Sequence, residues 1–386
     1  MIPGPIECDA NVLEAMGAPT PGHTAPDFIA SFASCLNMMK QVWQCPSGQA
    51  FIMAGTGTLA MEMAAANLIE KGDQALVLST GYFGDRYARI LECHGAEVTM
   101  IEAGPGETVD TSRVEDSLST GKFKLMTFTH VDTSTAVRVD ARAMGALGRK
   151  YGVLTILDGV CSVAGENIRQ EEWGIDLVLT ASQKAVGVPP GLALMVASEK
   201  ALQAWENRKT PATGYYTDWA NWLPIMKAYE NGQPAYFGTP ATNMVKALEK
   251  GLENIINEGL EARFKRHESL GKAFRAAMIA LGLTMIPDSE NISANTLSAP
   301  YLPEGVNLAD FMSAMGRSRV AIAGGLLPSI KTRYFRVGHM GSTGMGDLRL
   351  CVEGIASALK ECGLEVDGKA AWEAAMEHLK EVGSDM

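Results

Sequence analysis

No apolar run in this 386-residue chain approaches the roughly 20 residues that a membrane span requires. No basic excess is present either. Lys and Arg total 33 against 44 Asp and Glu, a formal charge of -11 that repels a nucleic-acid backbone and an anionic membrane surface alike. Nucleic acid and membranes are therefore not expected as partners. An anionic ligand has to be held by local devices, such as a helix N-terminus or one well-placed Arg, against the overall field. The seven cysteines (Cys8, Cys35, Cys45, Cys93, Cys161, Cys351, Cys362) are odd in number and contain no CxxC pair, so neither a disulfide framework nor a zinc site is expected. Met1-Ile2-Pro3-Gly4-Pro5 lacks the basic-then-apolar order of a secretory leader and the Arg-rich character of an organellar one, and Gly383-Ser384-Asp385-Met386 is not a peroxisomal ending. A reducing, cytoplasmic setting is the expectation.

The chain is otherwise rich in core-forming residues, 47% hydrophobic and 20% charged, and its length suits two domains. From about residue 50 to 200, short apolar runs alternate with helical stretches, the pattern of a mostly parallel sheet covered by helices. The runs are 75–79, 98–101, 125–129, 154–157, 177–180 and 192–197, several without polar alternation, as strands buried on both faces should be. Over 244–283 the spacing of Val245, Leu248, Leu252, Ile255, Ile256 and Leu260 predicts a connecting helical segment. Beyond it, 296–302, 320–323 and 334–337 read as strands of a smaller mixed domain, closed by helices near 345–362 and 370–382.

Three segments can carry chemistry. Ala54-Gly55-Thr56-Gly57-Thr58 opens a helical stretch, and small residues there let N–H groups and a hydroxyl converge on an anion such as phosphate. The same residues would also serve as a simple tight turn and cap; they lack the GKS/T ending of a nucleotide loop. Asp158 stands at the C-terminal end of a buried strand, where open parallel sheets place ligands, and could pair with a protonated ring nitrogen or merely cap the next turn. Lys184, in Ser182-Gln183-Lys184-Ala185 before Pro189-Pro190-Gly191, again follows a buried strand. Alone it reads as a surface charge, but an amine there, desolvated and deprotonated, can attack an aldehyde.

Their order is what matters: glycine turn, strand-end Asp, strand-end Lys, and then Arg336 in Tyr334-Phe335-Arg336-Val337-Gly338-His339-Met340-Gly341. A pyridoxal-phosphate enzyme asks its protein for an imine-forming Lys, a partner for the pyridinium nitrogen, a phosphate cup and an anchor for the substrate carboxylate. Arg suits the last because its planar fork makes two parallel hydrogen bonds to a carboxylate.

These segments, with Thr129-His130-Val131-Asp132-Thr133-Ser134-Thr135, resemble the class V aminotransferase family in its alanine-glyoxylate and serine-glyoxylate branch, over nearly the whole chain. The resemblance implies an α/β fold of the fold-type I pyridoxal 5'-phosphate transferases, with a mostly parallel sheet in the large domain and a smaller α+β C-terminal domain. It implies an N-terminal arm at 1–18, a large domain at 19–257 and a small domain at 258–386. Lys184 would carry the cofactor and shuttle the proton, and Asp158 would keep the ring nitrogen protonated. Thr56, Gly57 and Thr58 would bind the phosphate beside Gln183, Phe83 would stack on the ring, and Thr133 would lie near the ring oxygen. Arg336 would anchor the substrate, with Pro3, Gly4 and Gly22 lining its pocket. Tyr236 and Thr239 match a segment that in the family crosses a two-fold interface to the neighbour's phosphate, which implies a homodimer. Thr58 and Phe83 depart from the His and Trp of some relatives.

The implied reaction is transamination between small amino and oxo acids. Glyoxylate is the expected acceptor and alanine the favoured donor, with serine-glyoxylate or serine-pyruvate transfer, or transfer from another small amine within the same branch, as the alternative, because no second cation is evident for a side-chain carboxylate. A cysteine desulfurase needs a reactive Cys upstream of the carboxylate Arg, and none lies between Cys161 and Cys351. A non-catalytic binding module would be marked by loss of Lys184 or Asp158; both are present.

Overall fold

The computed structural model describes residues 1–383, with side chains to residue 379; Ser384, Asp385 and Met386 lie outside the described residues. The large sheet has seven strands in the order β1-β7-β6-β5-β4-β2-β3. They are β1 (Gln49–Ala54), β2 (Gln74–Ser79), β3 (Glu97–Glu102), β4 (Leu125–Thr129), β5 (Leu154–Asp158), β6 (Leu177–Ala181) and β7 (Leu192–Ala197). β2 through β6 pair in parallel, whereas β7 runs antiparallel to both β6 and β1. The six apolar runs of the sequence are six of these strands. The seventh, β1, lies outside those six runs and pairs along its full length with β7.

The continuous apolar character of β4 to β7 follows from their position. Every residue of these strands is buried, since helices cover both faces, and each fully buried Leu, Ile or Val contributes about 1.5–3 kcal/mol. β3, at the edge, is mostly half-exposed and tolerates Glu97 and Glu102. The helices start and stop on recognisable signals. Helix Ala141–Tyr151, for example, is capped by Asp140, whose carboxylate accepts from Ala143 N–H at 2.9 Å, and ends on Gly152 at φ 69°, a left-handed conformation that favours glycine.

The chain reverses its direction of travel across the sheet at β2, which has β3 on one side and β4 on the other. Crevices beyond the C-terminal ends of strands at such a point are where α/β sheets bind ligands. The segments after β1, β2, β4, β5 and β6 all emerge at that edge.

A second sheet, in the order β8-β10-β9, consists of β8 (Leu297–Ser298), β9 (Ala323–Gly324) and β10 (Phe335–Gly338), all antiparallel. Its strands are shorter than the sequence suggests. Only two residues of 296–302 pair continuously, with isolated bridges at Pro300 and Tyr301, and 320–322 is coil behind Arg319 at φ 63°. The segment at 244–283 is also not one helix. Gly259, at φ 82°, divides it into Thr242–Glu258 and Leu260–Ala280. The apolar residues form one core from Val12 to Ile255, a second around Phe274, Phe311, Phe335, Val352 and Ile355, and a small cluster including Val131, Cys161 and Tyr334.

The N-terminal residues lie against the second sheet. The Met1 amino group donates to Ala321 O at 2.6 Å, and Gly338 N–H donates to Met1 O at 2.9 Å. A Cβ on Gly338 would come within 2.7 Å of Ile2 O, so glycine is required for this approach. No helix among the described residues is long and apolar enough to cross a membrane.

Candidate active site

β6 and β7 are joined by the loop that carries Lys184, and Ser182 ties its two ends. Ser182 Oγ donates to Pro189 O at 2.7 Å and accepts from Leu192 N–H at 3.2 Å. From below, the buried Arg263 donates to Ala185 O at 2.7 Å and to Ala164 O at 2.8 Å, clamping this loop to the one after β5. Lys184 is consequently no surface charge. It is 8% exposed, its Nζ donates to Pro3 O, and Gly4 packs so closely that an added Cβ would lie 2.8 Å from Nζ. Burial holds its ammonium below the ordinary value, and the Arg336 guanidinium pushes the same way, against Cys161 and Asp158. An amine so placed is closer to the deprotonated form that attacks a carbonyl.

Asp158 ends β5 and is 2% exposed. Its carboxylate accepts from Val160 N–H at 3.0 Å and from Thr129 Oγ1 at 3.3 Å. No cation forms an ion pair with it among the described residues, and burial pushes its pKa from 3.8 to about 6, with the Asp132 charge adding to the shift and Lys184 opposing it. A carboxylate so placed could hold a protonated ring nitrogen.

Thr56 caps helix Gly57–Leu68, its Oγ1 accepting from Leu59 N–H at 3.3 Å. The N–H groups of Gly57 and Thr58 open the helix with no intrahelical carbonyl to meet, a ready anion site. A Cβ on Gly57 would lie 2.8 Å from Val160 Cγ2, so only glycine lets this turn lie against the Asp158 segment. Phe83 is set by a feature that the sequence did not disclose. Its N–H and that of Gly84 donate to the buried Asp132 carboxylate at 3.0 and 3.4 Å, joining the start of helix Tyr82–Cys93 to the loop after β4.

Arg336, on β10, is half-buried. Nε donates to Gly324 O at 2.9 Å and Nη1 to Thr133 O at 3.1 Å, leaving Nη2 without a partner among the described residues. Tyr334 sets this register, its hydroxyl donating to Ser134 O at 2.6 Å and accepting from Leu326 and Leu327 N–H at 2.8 Å each.

One cavity of about 180 Å³ collects Gly4, Thr56, Gly57, Thr58, Phe83, Thr133, Asp158, Gln183 and Lys184. Pro3 reaches it through the Lys184 contact. Arg336 is not among the lining residues and meets the cavity wall through Thr133 O, and three further expected residues are elsewhere in the single chain. Tyr236 is 66% exposed, Thr239 is exposed, and Gly22 precedes helix Pro26–Val42, where neighbouring His23 packs at a tilt against Tyr236 with centroids 5.4 Å apart. The cavity also holds residues that the sequence reading missed: Met61, Arg86, Thr129, Val131, Val160 and Cys161. Arg86 is a cation of the cavity that the sequence reading did not name. Its position three residues beyond Phe83 on one helix was the available signal. No cluster of three His, Cys, Asp or Glu that could hold a metal occurs among the described residues.

The raised Asp158 pKa has a stability consequence. A carboxyl with a folded value of about 6 against an ordinary 3.8 stabilises the cofactor-free fold fully below about pH 4, and this contribution is lost as pH rises through 6. Asp158→Asn without cofactor is therefore expected to unfold at higher temperature than the wild-type protein at neutral pH. The gain should be roughly 1–3 kcal/mol, shrinking toward pH 4. A lower Tm for the variant at neutral pH would show that the charged form is not penalised.

A buried lysine, a buried carboxylate and an open helix N-terminus around one cavity, at the C-terminal edge of this sheet, define a fold-type I enzyme dependent on pyridoxal phosphate. The sequence matches the aminotransferase class-V family over residues 17–340, and the chain belongs to that family. It is 35% identical over 356 residues to alanine--glyoxylate aminotransferase 1 of Saccharomyces cerevisiae, covering 89% of this chain and 92% of that one. Identity to L-aspartate--glyoxylate aminotransferase of Paracoccus denitrificans is 31% over 389 residues, covering 98% and 96%. The crystal structure of ureidoglycine-glyoxylate aminotransferase from Bacillus subtilis superposes with a TM-score of 0.90 at 26% identity, covering 98% of this chain and 97% of that one.

Proposed function

We propose that this transaminase moves the amino group of a small amino acid, alanine foremost, to glyoxylate, giving pyruvate and glycine. The observation that carries the reading is the cavity itself. It places Lys184 and Asp158 beside an anion-binding helix start. The naming of the relatives for glyoxylate supports the acceptor.

Pyridoxal phosphate supplies an aldehyde that takes up the amino group and a ring that withdraws the electron pair left at the donor Cα. Thr56, Gly57 and Thr58, with Gln183, would hold its phosphate, Phe83 would offer a ring face, and Thr133 would lie near the ring oxygen. Asp158 holds the proton on the ring nitrogen. Lys184 Nζ accepts the proton from Cα and returns it to the carbon that has received the nitrogen. Arg336 orients the donor through its α-carboxylate and then holds the carboxylate of glyoxylate in the same way. Pro3 and Gly4 close the cavity and exclude water.

The same proposal assigns the exposed face bearing Tyr236, Thr239 and Gly22 to a second copy of the chain, so that a homodimer completes both sites. The division into arm (1–18), large domain (19–257) and small domain (258–386) belongs to it and is supported by the separate cores. Seven free thiols support a reducing, cytoplasmic setting. Gel filtration coupled to an assay with alanine, serine or aspartate against glyoxylate tests the reading. Glycine and pyruvate should form from alanine in a fraction eluting at twice the chain mass of 41.2 kDa. Failure of both alanine and serine to react, or activity confined to the single-chain fraction, would refute it.

A further inference from the structure

We propose that Arg86 is the cationic part of the phosphate site. The inference rests on the reading that Thr56, Gly57 and Thr58 hold the phosphate. Those residues and Gln183 bring hydroxyls, N–H groups and an amide, but no full positive charge. A doubly charged phosphate held in a chain of net charge -11 calls for one nearby. Lys184 and Arg86 are the cations that line the cavity, and Lys184 must be neutral to act on a carbonyl. Arg86 remains.

Its geometry suits the task. Helix Tyr82–Cys93 presents it one turn beyond Phe83, and Nη1 donates to Thr58 Oγ1, the second residue of the anion-binding helix, at 3.2 Å. The guanidinium carbon lies 4.9 Å from the Phe83 ring centre and 5.1 Å from that of Tyr82, so two aromatic faces restrict the fork. Asp85, its chain neighbour, accepts from Ser79 Oγ at 2.7 Å, and Arg86 has no ion pair with any carboxylate among the described residues. A half-buried, oriented and unneutralised guanidinium beside an open helix start is matched to a phosphate.

The assignment also accounts for Thr58. A hydroxyl there brings no charge of its own, and Arg86 reaches the same spot through it. Engaged in this way, Arg86 is withdrawn from the substrate, which leaves Arg336 as the substrate's anchor and keeps the donor small.

Titration of cofactor-free protein with pyridoxal phosphate and with pyridoxal, which lacks the phosphate, tests this by absorbance or quenching of intrinsic fluorescence. Arg86→Ala and Arg86→Gln should weaken pyridoxal phosphate about ten- to a hundredfold and leave pyridoxal within about twofold, with Arg86→Lys in between. Inorganic phosphate should compete with pyridoxal phosphate less well in the variants than in the wild type. Equal weakening of both ligands would overturn the proposal in favour of a structural role. Unchanged pyridoxal phosphate affinity with a raised KM for aspartate would overturn it in favour of a substrate contact. Thr56→Ala serves as the control: if it weakens pyridoxal phosphate and Arg86→Ala does not, only the Arg86 assignment fails. If neither does, the phosphate lies elsewhere.

Discussion

Lys184→Ala is expected to abolish transamination, with turnover falling by about 10⁴ or more, and to remove the visible absorbance band of the lysine-linked cofactor while the variant still binds pyridoxal phosphate. The size of the loss follows from how little can substitute for this amine. The cavity's other cation, Arg86, is engaged with Thr58 Oγ1 rather than with Nζ, and the nearby Cys161 thiol is buried, with burial pushing its pKa up. Water is kept from Nζ by Pro3 and Gly4 on one side and the β6–β7 loop on the other. Asp158 is not a substitute either, because its carboxylate is held by Val160 and Thr129. The half-reaction with alanine, followed by the conversion of the visible band, separates loss of chemistry from loss of binding. A variant that retained even a tenth of the wild-type rate would remove Lys184 from the role.

The second large effect concerns Arg336. Arg336→Ala should lower kcat/KM for alanine and for glyoxylate by about 10²–10³, because a charged two-point contact is replaced by water. Two of its donors are spent on Gly324 O and Thr133 O, and these bonds aim the remaining Nη2 edge. Arg336→Lys keeps the charge but cannot make both backbone bonds and still meet a carboxylate, so it should recover only part of the loss. A simple amine without a carboxylate gives the control. Its slow half-reaction should be indifferent to the substitution if Arg336 acts as a carboxylate anchor. An equal loss for that amine, or an unchanged kcat/KM for alanine, would refute the assignment.

The legible and illegible parts of this molecule differ by the range of the interactions involved. The strands from β4 to β7 could be read because a strand buried on both faces must be apolar throughout, a property of the segment itself. β1 escaped, since its place at the edge beside β7 is decided by pairing with a strand more than a hundred residues away. β8 and β9 were overestimated for the same reason. Apolar character continues through 296–302 and 320–323, but only a few positions find a partner strand. Gly259 shows a local signal outweighed by periodicity, the helical spacing continuing across a residue whose left-handed backbone divides the segment.

The order Thr56, Asp158, Lys184, Arg336 is written in the chain because Thr56 opens a helix, Asp158 ends a strand, Lys184 follows one and Arg336 sits in a glycine-flanked motif, where residue type and local pattern suffice. The fold class, the cofactor and the family follow from that order and from the motifs around it. Tertiary structure alone decided what surrounds these groups: that Asp132 sets Phe83, that Tyr334 sets Arg336, that Arg263 clamps the Lys184 loop, and that Arg86 enters the cavity. Each of these is a hydrogen bond or ring contact between elements brought together only by folding, and no spacing within one segment records which elements will meet. Burial is of the same kind. Lys184 and Asp158 are ordinary charged residues in the sequence, and the sheet edge that encloses them is what moves their proton affinities toward use.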